Sequence, residues 1–221
     1  MSHSVAIDGP AGAGKSTIAK LVAKELGYIY VDTGAMYRAM ALYLIRKGID
    51  RNDTEGIEKA CEDADISISY ENGTQVVLLG SENVNAYLRT EEVGNMASMS
   101  SVNAKVREKL VALQQKLAAE KDVVMDGRDI GTVVLPDSRC KIYLTASVSV
   151  RAKRRYDELT EKGITGDIKQ IEADIEERDH RDMTREHSPL KQAEDAVLID
   201  SSDMSIEEVK DAILAEAKRK L

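Results

Sequence analysis

The sequence predicts an α/β fold, a five-stranded parallel sheet with helices on both faces, interrupted by a small antiparallel β insertion. Three observations carry that expectation. Short apolar runs alternate with longer stretches whose apolar residues recur at helical spacing, which is the rhythm of strand-helix crossover units. A glycine-rich segment, residues 9–14, joins the first apolar run to the first helical stretch. Around Asn72-Gly73 the pattern changes to strict alternation beside a two-residue turn signal.

Val5, Ala6 and Ile7 form the first strand, ended by Asp8-Gly9-Pro10. Ile18, Leu21, Val22 and Leu26 then follow helical spacing as far as Gly27, where a helix C-terminal glycine belongs. Residues 28–31 make the second strand, and an amphipathic helix over about 35–47 is stopped by Gly48. Residues 63–89 stand apart as the insertion, because Ile66-Ser67-Ile68-Ser69-Tyr70 alternates and 74–79 is rich in β-formers. The core is then 1–62 plus 90–221. Apolar runs at 123–125, 142–144 and 196–199 supply three more strands, separated by helical stretches over 103–121, 148–162 and 167–184. Ser205-Ile206-Glu207-Glu208 is a capping box that opens a charged C-terminal helix.

At 221 residues and 43% hydrophobic, the chain can bury a full core as one domain carrying an insertion. Its 39 acidic against 31 basic residues give a formal charge of -8, which argues against a protein built to grip nucleic acid polymers or anionic membrane. Cys61 and Cys140 lack metal-ligand spacing and fit two buried thiols of a reducing compartment. The first nine residues contain His3 and Asp8 and run straight into the glycine loop, so no signal peptide or spanning helix is expected. The expectation is a cytoplasmic monomer.

Gly9-Pro10-Ala11-Gly12-Ala13-Gly14-Lys15-Ser16 matches the P-loop pattern, in which backbone N–H groups cradle phosphate oxygens at a helix N-terminus. Lys15 supplies a mobile positive charge to the β- and γ-phosphates, Ser16 a hydroxyl for Mg²⁺, and Thr17 a further candidate phosphate contact. ATP and Mg²⁺ are thus the expected donor and cofactor. A fortuitous glycine-rich turn is the plainer alternative, and the strand before and helix after argue against it. P-loops serve switches, motors and kinases alike. No N-K-x-D guanine reader is present, so what remains to be found is a site for an acceptor.

Asp32-Thr33-Gly34-Ala35-Met36-Tyr37-Arg38 opens the second helix, and Asp126-Gly127-Arg128-Asp129-Ile130-Gly131-Thr132 follows the third core strand, where parallel sheets place ligands. With the P-loop segment and Glu177-Arg178-Asp179-His180-Arg181-Asp182, these stretches resemble bacterial cytidylate kinases over essentially the full length. The 63–89 insertion resembles that family's CMP-side insert.

The resemblance implies transfer of the γ-phosphoryl group of ATP to CMP or dCMP. It puts Arg38 and Arg128 on the acceptor phosphate, where guanidinium forks suit phosphate oxygens, with Thr33 and Tyr37 beside them. A surface salt bridge is the plainer reading for each arginine, and a helix N-cap for Thr33. It gives base reading to Ser98, Arg107 and Asp129, since a carboxylate plus a guanidinium complements the donors and acceptors of cytosine. Ser98 as a solvated helical hydroxyl and Arg107 paired with Glu108 remain open.

Arg178, Arg181 and Arg185, spaced three and four apart, are expected on one face of a lid helix within about 160–187. The resemblance assigns arginines of this region, Arg178 and Arg185 among them, to the phosphates and Asp182 to the sugar. Arg151, Lys153, Arg154 and Arg155 read mainly as a solvated helix face with one arginine reaching ATP. Lys15, Arg128, Arg178 and Arg185 are therefore the candidate catalytic residues. Alternatives are another small-acceptor P-loop kinase, for UMP, AMP or a shikimate-like metabolite, and a non-catalytic ATP-binding module.

Overall fold

A computed structural model describes residues 2–221. β1 (Ser4–Asp8) leads through the glycine loop into α1 (Lys15–Leu26), and β2 (Ile29–Asp32) into α2 (Thr33–Arg46). After α3 (Thr54–Asp63) come β3 (Ile66–Glu71), β4 (Thr74–Leu79) and β5 (Glu82–Asn83), then α4 (Glu91–Ser100) and α5 (Ala104–Glu120). The chain re-enters the core as β6 (Val123–Gly127), makes a π-helical turn over Ile130–Val134 and continues as β7 (Cys140–Thr145). It leaves through α6 (Val148–Glu161) and α7 (Ile168–Thr184), then closes with β8 (Val197–Asp200) and α8 (Ile206–Lys220).

The core sheet has the order β2-β6-β1-β7-β8, and every neighbouring pair is parallel. Its strands are apolar on both faces, as a sheet covered by helices on each side requires. Val5, Ile7 and Val124 pack with Ile18 and Val22 of α1 and Ile213 and Ala217 of α8. Ala6, Val31 and Met125 point the other way, against Met36 and Met40 of α2 and Leu110 of α5. Each fully buried Ile or Leu in these layers contributes about 1.5–3 kcal/mol.

The five strands and the long helices lie where the apolar pattern predicted. The short helices α3 and α4 and the π-helical turn were not anticipated. In α3 only Ile57 and Cys61 are buried, too few to mark a period. Cys61 and Cys140 are both buried free thiols. Among the described residues no helix is long and apolar enough to cross a membrane.

The insertion is a three-stranded antiparallel sheet, β3-β4-β5. Asn72 (φ 50°) and Gly73 (φ 76°) both take the left-handed conformation that a type I′ hairpin turn demands. Ile66, Val77, Val84 and Leu88 join the same apolar layer as α2, so the small sheet is fused to the core. Gln75 makes a second junction: its Oε1 accepts from the Asp32 N–H (2.8 Å) and its Nε2 donates to the Asp32 carbonyl (3.2 Å). A side chain thereby pairs both backbone groups at the end of edge strand β2.

Candidate active site

The chain passes from β1 to β2 on one side and later to β7 and β8 on the other, and a ligand crevice forms at such a switch, outside the carboxyl ends of the strands. A cleft of about 750 Å³ lies there, lined at one end by the glycine loop with Arg154, Ser201 and Ile206, and at the other by Arg107 and Asp129.

Glycines shape the half of the cleft beside α1. Gly9 (φ 150°) lets the loop cross β7, since a Cβ on it would stand 1.9 Å from the Leu144 carbonyl oxygen. Gly14 (φ 84°) is the N-cap of α1 and offers no side chain to its amides, whereas every other α-helix among the described residues has a side-chain cap. The first N–H groups of α1 therefore face the cleft unpartnered by a cap, which suits an anion. Lys15 is buried and donates to the Pro10 carbonyl (2.7 Å). Burial, then the charge of Arg128, holds its ammonium well below the usual lysine range, against the pull of Asp126 and Asp8.

Asp126, the last carboxylate of β6, sits beneath Ser16. Its Oδ2 accepts from Ser16 Oγ (2.9 Å), its Oδ1 from the Tyr30 hydroxyl (2.7 Å), and its carbonyl from Thr33 Oγ1 (2.6 Å). Burial pushes the Asp126 carboxyl up, and the Asp32 charge adds to that. At the end of β1, Asp8 accepts the N–H groups of Ile130 and Gly131, both at 2.7 Å, which pins the turn carrying Arg128 and Asp129. Burial raises Asp8 to about 6 despite those two bonds.

The other half of the cleft is made of side chains. Arg107, buried on α5, pairs with Asp129 and donates to the Ser101 carbonyl (3.1 Å). Its guanidinium stands 5.4 Å from the centre of the Tyr37 ring. Burial pushes the Tyr37 hydroxyl up to about 12. Arg185 approaches the other Asp129 oxygen at 3.8 Å, so one carboxylate lies between two guanidiniums. Arg38 bonds Asp32 (3.1 Å), and Arg89, from the end of the insertion, reaches the same carboxylate at 3.6 Å.

From α7, Asp182 accepts from Arg128 Nε at 2.8 Å. Burial alone would raise the Asp182 carboxyl, yet Arg128 outweighs it and holds it below the ordinary value. Arg178 opens to solvent through the cleft and lines it. The cleft walls desolvate it, and with the Arg128 charge they bring its pKa down to about 10. Cations crowded this way are favoured by an incoming polyanion.

The structure thus brings Lys15, Ser16, Thr17, Thr33, Tyr37, Arg38, Ser98, Arg107, Arg128, Asp129, Arg178, Asp182 and Arg185 to one cleft. Several sequence expectations need correction. The N-cap of α2 is Asp32, not Thr33, which is its first residue. Arg107 pairs across the fold with Asp129 instead of with Glu108. Arg185 lies one residue beyond α7, in extended conformation, so the arginine stripe is not wholly helical. Arg181 turns to Ser98 Oγ (2.9 Å) and Glu177. The 151–155 face is not uniformly solvated: Lys153 and Arg155 are exposed, but Arg151 is buried against Asp179 and Arg154 donates to the Ser201 carbonyl (2.7 Å). Sequence reasoning gave no role to Asp8, Gln75, Arg89, Asp126 or Asp179. For Asp8 and Asp126 a signal existed, a carboxylate closing an otherwise apolar strand.

A parallel sheet with a P-loop at its first turn and an arginine-lined cleft beside it defines the class of P-loop phosphotransferases acting on small molecules. A protein from Eubacterium ventriosum of known crystal structure shares the fold, with a TM-score of 0.51 at 12% identity over 99% of both chains. Residues 5–219 match the family model for cytidylate kinase. Cytidylate kinase of Caldicellulosiruptor saccharolyticus is 53% identical over 211 residues, 96% of this chain and 93% of that protein. The Listeria monocytogenes cytidylate kinase is 49% identical over 218 residues, 98% of this chain and 96% of that one. The chain belongs to the cytidylate kinase family, and it is an ATP-dependent nucleoside monophosphate kinase.

Proposed function

We propose that this chain transfers the γ-phosphoryl group of ATP, taken with Mg²⁺, to the phosphate of CMP or dCMP, as a cytoplasmic monomer. The observation that carries the site assignment is the meeting of Lys15, Arg128 and Arg178 between the uncapped start of α1 and the Arg107–Asp129 pair.

The acceptor phosphate is already ionised and is itself the nucleophile, so the protein supplies position and charge rather than a base. Lys15 and Arg178 stabilise charge building on the transferred group, with Arg185 helping to hold the lid against the site. Arg38 and Arg128 hold the acceptor phosphate in line, with Thr33 and Tyr37 shaping its seat. The Asp182 carboxylate faces the sugar. Asp129 accepts from the cytosine amino group, while Arg107 and Ser98 serve its acceptors. The Ser16 hydroxyl, backed by Asp126, is a hard oxygen donor set of the kind Mg²⁺ takes alongside phosphate oxygens. When bound, that ion neutralises the β- and γ-phosphate oxygens. The insertion supports the acceptor side through Gln75 and Arg89, both joined to Asp32.

Release of ADP measured with CMP, dCMP, UMP, AMP and GMP tests the reading. CMP and dCMP should exceed the others by orders of magnitude, and equal rates with UMP or AMP would overturn it.

A further inference from the structure

One peptide of the glycine loop is held from behind the cleft. The Ala11 N–H donates to Asp179 Oδ1 (3.2 Å), and the Ala11 carbonyl accepts from Arg151 Nη1 (2.9 Å). The same Nη1 donates to Asp179 Oδ2 (2.6 Å), closing a ring among the loop, α6 and α7. Arg151 Nε is anchored in turn on the Ala146 carbonyl at the end of β7 (2.8 Å). Ala11, Arg151 and Asp179 are all under a tenth exposed. Arg151 and Ala11 line the cleft, and Asp179 stands behind them.

A buried ion pair must satisfy its remaining lone pairs and protons with further hydrogen bonds, and the partners it takes for this are held in place by it. Here the second carboxylate oxygen is committed to a loop amide. Ala11 lies between Gly9 and Gly12, two residues with positive φ whose backbone freedom leaves the loop dependent on outside contacts for its shape. Asp179 is also only three residues from Asp182, which bonds Arg128 on the acceptor side, so one helix touches both halves of the site.

We infer that Asp179 is a positioning residue of the donor site, holding the Ala11 peptide through a direct bond and through Arg151, so that the glycine loop takes its phosphate-receiving shape when α7 is docked. The lid is thereby coupled to the donor loop from behind as well as across the nucleotide. This rests on reading residues 9–17 as the ATP site.

The test uses Asp179→Asn, which keeps an acceptor oxygen and loses the charge, and Asp179→Glu, which keeps the charge and displaces the carboxylate by one methylene. Binding of a fluorescent ATP analogue without any acceptor is measured beside steady-state kinetics and melting. Both variants should bind the analogue about tenfold more weakly and lose kcat by about tenfold to a hundredfold, the scale on which misplacement of a catalytic constellation acts, with KM for CMP within about twofold. Parent affinity for the analogue in both variants, with only the melting temperature lowered, overturns the inference and leaves a stabilising ion pair. A loss confined to KM for CMP overturns it too and assigns Asp179 to the acceptor side. Failure of the functional reading itself is seen separately, as absent ADP release from the parent with CMP.

Discussion

In the proposed donor half of the cleft a single segment, residues 9–17, supplies the loop, the uncapped helix start, the lysine and the hydroxyl, mostly as backbone. In the proposed acceptor half the groups are side chains drawn from the end of β2, α2, α4, α5, the turn after β6 and the region of α7, over a span from Asp32 to Arg185. Phosphates are common to every nucleotide, and backbone amides suffice to hold them. A base is told from another base by the direction of its donors and acceptors, which only oriented side chains can match. The first half should therefore tolerate side-chain change except at Lys15, at the Ser16 hydroxyl and at glycines such as Gly9 that leave no room for a Cβ, and the second should be sensitive at almost every member.

The largest expected effect comes from removing Lys15. Lys15→Ala should cut kcat by about a thousandfold or more, because the ammonium acts on charge that grows in the transition state, while affinity for ADP falls far less because the amides remain. Turnover near the parent level would refute the donor assignment.

Asp129→Ala tests the acceptor half. It should lower kcat/KM for CMP by roughly one to three orders of magnitude and change UMP much less, because the carboxylate that welcomes an amino group also repels the uracil carbonyl. Arg107→Met should lower the CMP:UMP ratio less, since its donors serve an oxygen present in both bases. Asp129 also separates two buried guanidiniums, so Asp129→Asn and a melting curve are needed beside it. Equal losses for CMP and UMP would make Asp129 a support for the turn.

Asp8 joins the halves, binding from β1 the turn that carries Arg128 and Asp129. Its carboxyl is near 6 in the folded protein against 3.8 in the open chain, so between these values the folded state holds a proton that the unfolded state has released. Stability from this group is then lost as pH rises from about 4 to about 6, by about 3 kcal/mol in total. Urea midpoints at pH 4.5 and 6.5 should show a smaller decline in Asp8→Asn than in the parent. An unchanged slope would mean that Asp8 titrates normally.

The smallest effect concerns the insertion. Gln75→Ala removes two bonds to the Asp32 backbone, each worth about 1 kcal/mol, and should raise KM for CMP by about threefold with KM for ATP unmoved. A parallel rise for both substrates would make the insertion a general stabilising element.

Local signals were enough for the glycine loop and for the frame around it. The glycine spacing of residues 9–14, the apolar runs of the five strands and the Asn72-Gly73 turn each depend on interactions within a few residues, and such interactions are written in neighbouring letters. Gly48 and the Ser205 capping box marked helix ends for the same reason. The proposed acceptor residues were singled out because two long stretches resemble a known family, not because spacing or periodicity placed them together.

Pairings across long separations needed the folded chain. Arg107 finds Asp129, Gln75 finds Asp32, and Arg151 with Asp179 finds Ala11, because parallel crossovers carry distant segments to one end of the sheet. Charge pattern alone put Arg151 on a solvated face, since three of its near neighbours on α6 are cationic. The fold buries it, because the packing of α6 and α7 against the loop turns that position inward and a buried guanidinium must then meet a carboxylate.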